Sequence, residues 1–217
     1  MRVRTPWIFD VASGIYDFIT DQDVWRAHCR RMTPLVPGAR VVDLGIGPGV
    51  SGIAMAEVAP QTLFVGVDLA APMLTRAQRH AAARGVSVPL VRADVAKLPF
   101  PDASFDGATA HSFLYLLPDS AAALREVFRV VRPGGHVVFL EPGGEPGRLS
   151  RIRAVAKSFR TNVRFGLSMF LWSVFSGLHG RWTRQTLAAA LERAGFTAPR
   201  VEPTLDGLGL LADAHRP

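Results

Sequence analysis

The sequence predicts an α/β fold, a mostly parallel sheet with helices on both faces, and three observations carry that reading. In Arg40 to Gly49, the apolar run Val41, Val42, Leu44 ends at Gly45, Gly47 and Gly49, and Val50 to Val58 continues with a helical pattern. The same order of strand, turn and helix recurs at Leu63 to Leu69 and Pro72 to Arg84. At the far end, helical Thr183 to Gly195 precedes two strand-like runs, Phe196 to Val201 and Leu208 to Ala214, joined by Glu202 to Gly207. Strands that alternate with helices pair in parallel through crossovers, and the short final connection makes an antiparallel hairpin.

Composition narrows the class. At 217 residues, 48% hydrophobic and 20% charged, the chain is expected to be a single globular domain spanning 1–217. Cys29 is the only cysteine, so no internal disulfide forms, which fits a reducing compartment. Asp10 and Asp17 interrupt the N-terminal apolar residues, so no signal peptide is read. The longest apolar stretch, near Leu167 to Leu178, falls short of the ~20 residues that span a bilayer. A cytoplasmic protein is expected, with peripheral contact at the inner face of the membrane. Net charge is +7, and it is localised: eight of the 25 basic residues lie between Glu145 and Glu192, with no acid among them. The remainder, 17 basic against 18 acidic residues, is close to neutral.

Residues 1–38 precede the first strand. Ile8, Val11, Ile15, Phe18 and Ile19 recur at helical spacing and predict a helical cap. The second strand ends in Asp68, 19 residues after Gly49, where a nucleotide-binding α/β site holds the carboxylate that accepts from ribose hydroxyls. Val86 to Val91 reads as a third strand, and Phe105 to Ala110 as a fourth, followed by His111 to Tyr115. Asp119 is the expected N-cap of a helix bearing Leu124, Val127, Phe128 and Val131 on one face. Arg132-Pro133-Gly134-Gly135 then stops that helix and turns into a fifth strand, Val137 to Leu140.

Residues 143–182 read as an insertion after that strand. Arg148, Arg151, Lys157, Arg160 and Arg164 alternate with Leu149, Ile152, Val155, Phe159 and Val163, and an apolar, aromatic stretch follows through Trp172 and Phe175 to Leu178. Such a segment has the composition of an interfacial membrane helix, and equally of a substrate lid with a solvated basic face.

Several of these stretches also resemble one family. Asp43-Leu-Gly45-x-Gly47-x-Gly49 resembles motif I of the class I S-adenosylmethionine-dependent methyltransferases. Asp94-x-x-x-Leu98-Pro99-Phe100 and the run Leu124 to Pro142, with Arg129-x-x-Arg132-Pro-Gly-Gly and a terminal Glu-Pro, resemble the group acting on menaquinone and ubiquinone precursors and bacterial phospholipids. Phe9 to Asp17 is similar to that group's N-terminal motif. The likeness covers 9–142 and 183–217, and implies a Rossmann-like, seven-stranded sheet with S-adenosyl-L-methionine at the carboxyl ends of its strands. It assigns Asp43, Gly45, Gly47 and Gly49 to the methionine end of the cofactor, and Asp68, with Leu69 and Met73, to the ribose side. Asp94 and Val95 fall to the adenine side, and Ala110 lines the site from the fourth strand.

Methyl transfer from a sulfonium needs positioning and water exclusion more than covalent help. His111 and Tyr16 are the catalytic candidates. Tyr115 and His179 are expected near the acceptor, Arg151, Lys157 and Arg160 at a membrane or substrate face, and no metal is called for. The resemblance implies a hydrophobic acceptor, a quinone precursor methylated on carbon or phosphatidylethanolamine on nitrogen. A soluble small molecule of secondary metabolism is the alternative, as is a non-catalytic protein that binds cofactor or a lipid surface. A dinucleotide fingerprint fits only in a shifted register, Gly47, Gly49 and Gly52, and a nicotinamide oxidoreductase gains nothing beyond those glycines. No base-methylation motif accompanies the arginines, so nucleic acid is not an expected partner.

Overall fold

A computed structural model describes residues 22–145 and 147–217. The expected N-terminal motif, with Tyr16, lies outside the described residues. The first described helix, α1 (Asp23–Arg30), leads through a 3-10 turn into the sheet. The strands are β1 (Arg40–Leu44), β2 (Leu63–Asp68), β3 (Leu90–Arg92), β4 (Phe105–His111), β5 (Val131–Pro142), β6 (Thr197–Thr204) and β7 (Gly209–His215). They form one seven-stranded sheet in the order β3-β2-β1-β4-β5-β7-β6. Its first five strands are parallel, and β7 pairs antiparallel with both β5 and β6. Helices α2 (Val50–Val58), α3 (Ala71–Ala83) and α4 (Ser120–Val130) connect the parallel strands, and α7 (Arg184–Arg193) leads into the final hairpin. The insertion folds as two helices, α5 (Arg148–Thr161) and α6 (Val163–His179).

Alternation along the strands gives each sheet face its own core. Val41, Val138 and Leu140 pack with α1, α2, and Ala154, Phe165 and Met169 of the α5–α6 hairpin. Val42, Leu44, Val137 and Phe139 pack on the other face with α4 and α7. The chain reverses its winding between β3 and β4, and β1 and β4 lie side by side there. That switch point opens a crevice at the carboxyl ends of the strands.

Four boundaries differ from the sequence reading. β3 begins at Leu90 rather than Val86, because Pro89 has no N–H to give to a ladder. Arg132 to Gly135 does not end a helix. α4 stops at Val130, and the Pro-Gly-Gly run is an irregularity within β5, where Phe105 faces Val131 but Gly107 faces His136. Asn162 divides the basic segment in two, its Oδ1 accepting from the Phe165 N–H at 2.6 Å as the N-cap of α6. The first hairpin strand runs longer than expected, to Thr204, and the second is shifted by one residue, to Gly209–His215. Asp106 fastens the crowded strand entrance, accepting from the Ala39 and Arg40 N–H groups at 2.7 and 2.8 Å and from Arg132 Nε at 2.6 Å. The Arg132 hydrogen bond holds its carboxyl below the usual range.

A Cβ at Gly135 would lie 2.6 Å from the Asp106 carbonyl oxygen and 2.8 Å from that of Arg132. Both contacts are backbone, so no side chain can swing aside. Gly135→Ala is therefore expected to cost about 1–3 kcal/mol of stability, read as a lowered thermal midpoint with an unchanged helical spectrum.

Candidate active site

The crevice begins at the turn after β1. Gly45, Gly47 and Gly49 all have positive φ, at 59°, 54° and 98°, so L side chains there would be strained. Their surroundings differ. A Cβ at Gly45 would sit 2.0 Å from the Phe113 ring, so Gly45 makes room for that ring. At Gly47 the nearest atom to a Cβ would be the Gly45 carbonyl at 3.9 Å, so the backbone there faces open space. His80 Nδ1 lies 2.8 Å from the Pro48 carbonyl and pins the turn from α3. Gly49 is the N-cap of α2, whose first N–H groups open toward the same crevice.

Asp43 lies beneath the turn, wholly buried. Its Oδ2 accepts from Ser51 Oγ at 2.7 Å and its Oδ1 from Thr109 Oγ1 at 2.8 Å. Burial pushes its pKa up to about 6, against the pull of those hydrogen bonds. Asp43 thus braces β1, β4 and α2 around the turn, with its oxygens engaged by the protein. Asp68 holds the neighbouring position. It accepts from the Gly47 N–H at 2.9 Å and the Ala70 N–H at 2.8 Å, one on each oxygen. Burial raises its pKa, and the backbone donors oppose the rise. A carboxylate has about four acceptor positions, and the backbone donors do not fill them all, so capacity remains for a ligand hydroxyl.

Asp94 follows β3, with Oδ1 accepting from the Ala96 N–H at 2.9 Å. Val95, Met73 and Ala110 are buried beside these groups, while Leu69 is 41% exposed at the mouth. The fold therefore brings Gly45, Gly47, Gly49, Asp68, Asp94 and Ala110 to one edge of the sheet. The open backbone at Gly47, the helix N-terminus and the free valences of Asp68 fit an adenosine carrying a charged amino-acid tail.

The second half of the site follows β4. Glu141, at the end of β5, is wholly buried and gathers three backbone donors: Phe113 N–H at 3.0 Å, Leu114 N–H at 2.9 Å and Tyr115 N–H at 3.2 Å. Burial raises its pKa to about 7, although those donors favour its charged form. Glu141 shapes the loop that lays Phe113 on Gly45 and holds Tyr115 in place. The sequence reading saw Glu141 only as part of a motif. Its burial at a strand end was the signal.

His111 ends β4 with its ring 5.2 Å from that of Trp25 on α1. Desolvation, then the neighbouring His28, push its pKa down to about 4, so the imidazole is neutral. Trp25 also meets Phe165 at 5.8 Å and Trp172 at 5.4 Å, and its Nε1 donates to Ser168 Oγ at 2.7 Å. Three buried polar atoms, His111 Nε2 and Trp172 Nε1 on rings of this cluster and Ser112 Oγ next along the chain, have no hydrogen-bond partner among the described residues. Unpaired buried groups are costly, and ones gathered at the mouth of a cofactor crevice await a ligand. The sequence reading did not single out Trp25, Trp172 or Ser112 as candidates for the site.

The other residues expected near an acceptor or a surface make local contacts. His179 Nδ1 lies 3.0 Å from the Phe175 carbonyl of its own helix, with the two rings 4.1 Å apart. Arg151 is not a free surface cation: its side chain turns inward to donate to the Gly143 carbonyl at 3.1 Å, and burial lowers its pKa. Lys157 pairs with Asp206 at 2.6 Å, both partners exposed. Of that expected basic trio, Arg151 is a tether, Lys157 is ion-paired and Arg160 stands exposed.

Residues 41–135, from β1 into β5, match the methyltransferase domain family. A demethylmenaquinone methyltransferase of Thermus thermophilus is 36% identical over 148 residues, covering 66% of this chain and 67% of that protein. The chain belongs to the class I S-adenosylmethionine-dependent methyltransferases. Nocamycin O-methyltransferase of Saccharothrix syringae is 37% identical over 144 residues, 64% of this chain and 51% of the relative. Among solved structures, an S-adenosylmethionine-dependent methyltransferase from Thermotoga maritima superposes with a TM-score of 0.69 over 97% of this chain and 99% of that one, at 19% identity. That likeness concerns the fold, and S-adenosylmethionine is the cofactor of the family.

Two expectations follow. Asp68→Ala should weaken S-adenosylmethionine binding by about 1.5–3 kcal/mol in calorimetry, the worth of hydrogen bonds to a charged acceptor. An unchanged affinity in a folded variant would place the ribose contact elsewhere. The second concerns acid stability. His111 binds its proton at about 4 in the folded chain against 6.5 ordinarily, so the folded form holds fewer protons in that window. Stability is complete above pH 6.5 and falls toward pH 4, by about 3 kcal/mol in all. The raised carboxyls of Asp43 and Glu141 act with the opposite sign, gaining stability on acidification. Denaturant unfolding of His111→Phe beside wild type isolates the histidine: the variant should lack the acid loss, and parallel curves would contradict it.

Proposed function

We propose that this protein transfers the methyl group of S-adenosylmethionine to an aromatic hydroxyl compound of the quinol class, a hydrophobic quinone precursor. The carrying observation is a pair of buried atoms, unpartnered among the described residues, on rings that both pack against Trp25: His111 Nε2, an acceptor in the tautomer with its proton on Nδ1, and a donor, Trp172 Nε1. A phenolic oxygen satisfies both, donating its proton to the imidazole and accepting from the indole N–H. An amine would find aromatic walls suited to a cation, but would leave the indole donor unpaired. The demethylmenaquinone methyltransferase relative supports the same acceptor class.

When bound, S-adenosylmethionine supplies an electrophilic methyl on a sulfonium that departs as a neutral thioether. The chain's part is placement and proton management. Gly47 and Asp68 fix the donor end, and Glu141 sets the loop that presents His111 and Ser112. As the acceptor forms its bond to the methyl carbon, its hydroxyl proton passes to His111 Nε2, which raises electron density on the oxygen and the carbons ortho to it. Trp25, Trp172 and Phe165 keep water away from the reacting atoms. A soluble aromatic metabolite would use the same geometry, and the nocamycin O-methyltransferase relative supports that second reading.

A panel of quinol, aminoethyl-lipid and soluble phenolic acceptors with labelled cofactor separates these classes. Quinol turnover is expected, and labelling of the amine alone would overturn the assignment. His111→Ala should lower turnover by ~10²-fold or more while cofactor affinity holds, the scale of general-base catalysis. The acid limb of kcat/KM for wild type should sit near 4, not 6.5, since that parameter reports the free enzyme.

A further inference from the structure

Helix α6 is apolar on two opposite faces. Its inner stripe, Phe165, Met169 and Trp172, packs against Trp25 and the sheet. Its outer stripe, Val163, Leu167, Phe170, Val174 and Leu178, follows the same helical period half a turn away and is exposed, from 39% at Leu167 to 75% at Leu178. Helix α5 repeats the pattern. Ala154 and Ser158 face inward, while Leu149, Ile152 and Phe159 stand 72%, 56% and 41% exposed. Nine of the twelve large apolar side chains exposed among the described residues thus belong to one hairpin. A helix apolar all round is stable where both faces are covered, and a contiguous patch of this kind marks a contact surface.

Charge says what covers it. No Asp or Glu occurs from 146 to 191. Exposed Arg153 and Arg160 share the side of α5 that adjoins its apolar stripe, and exposed Arg148 flanks the other side. Apolar residues bordered by cations, with no acid in the segment itself, complement a negatively charged bilayer surface. No helix among the described residues is long and apolar enough to cross a membrane.

We propose that the α5–α6 hairpin is a docking surface for an anionic lipid bilayer, with its outer stripes set in the headgroup boundary. It rests on the quinol reading in one respect: the inner face of α6 walls the pocket of His111, so docking would bring that pocket to the layer where a lipid-soluble acceptor resides. The tethers Arg151 to Gly143 and Lys157 to Asp206 hold the hairpin to the body, leaving Arg148, Arg153 and Arg160 for the surface.

The test is sedimentation of the full chain with phosphatidylcholine vesicles, with and without phosphatidylglycerol, and with no acceptor present. Binding should rise roughly tenfold or more with the anionic lipid, and should fall without vanishing as salt screens the cations. Arg153→Glu with Arg160→Glu should remove most of the anionic preference. Leu149→Ser, Val163→Ser and Leu178→Ser together should remove the part that survives salt. Both variants should keep the wild-type thermal midpoint and turnover on a water-soluble acceptor. Absent binding to anionic vesicles at low salt overturns the proposal, as does unchanged binding by both folded variants. Self-association that the serine triple abolishes, with vesicles unbound, would make the face an interface between copies instead. Because vesicle binding is read without methyl transfer, a wrong acceptor assignment and a wrong docking surface give separate failures.

Discussion

The site depends on a carboxylate that never meets water. Asp43 is wholly buried, and its two oxygens are engaged by Ser51 of α2 and Thr109 of β4. Burying a carboxylate is costly unless hydrogen bonds satisfy it, and here they fasten the three elements that meet at the switch point. A Cβ at Gly52 would lie 2.9 Å from Asp43 Oδ2, so the helix backbone approaches the carboxylate as closely as a glycine allows. The positive-φ turn from Gly45 to Gly49 is thereby suspended between fixed ends. Its open backbone at Gly47 follows from the bracing beneath it.

Glu141 does for the acceptor side what Asp43 does for the cofactor side. Three N–H groups of the loop after β4 converge on it, and that loop includes Ser112 at a φ of 54°. The loop also carries Phe113 onto Gly45, so the two halves of the site touch. Both carboxylates are raised by burial toward neutrality, yet both are surrounded by donors that favour charge. The balance makes each a rigid acceptor whose geometry is set by strand ends rather than by solvent.

The fold was legible wherever local chemistry decides structure. Apolar runs, the glycine turn, the Asp119 N-cap and the closing hairpin are written in single stretches of chain, and all appear. Reading failed where a distant backbone decides: Gly135 needs its missing side chain because of Asp106, so Pro-Gly-Gly continues β5 instead of ending a helix. The Asn162 break went unread, because it lies within a continuous apolar period. On the cofactor side, Asp68 and Asp94 could be named as candidates because one spacing and one motif single them out. Trp25, Ser112 and Trp172 could not, since no spacing links α1, the loop after β4 and α6. Trp25 and Ser168 are 143 residues apart and meet at 2.7 Å.

His111 shows why a strongly shifted histidine suits this chemistry. Desolvation against Trp25 keeps it neutral at any ordinary pH, at the price of making its protonated form a strong acid. Such a base would be poor if the site had to take on a new charge. In methyl transfer from a sulfonium to a neutral hydroxyl, the site begins with one positive charge and ends with one. In the proposed reaction, His111 would take up the acceptor's proton as the sulfonium charge is lost, so the cation would be relocated within the enclosure rather than created there. The dry, aromatic surroundings that depress its pKa in the free protein therefore oppose the start and the end of the reaction alike. On that proposal, what remains is the gain from positioning the acceptor oxygen against His111 Nε2 and Trp172 Nε1, two buried atoms that have no partner among the described residues.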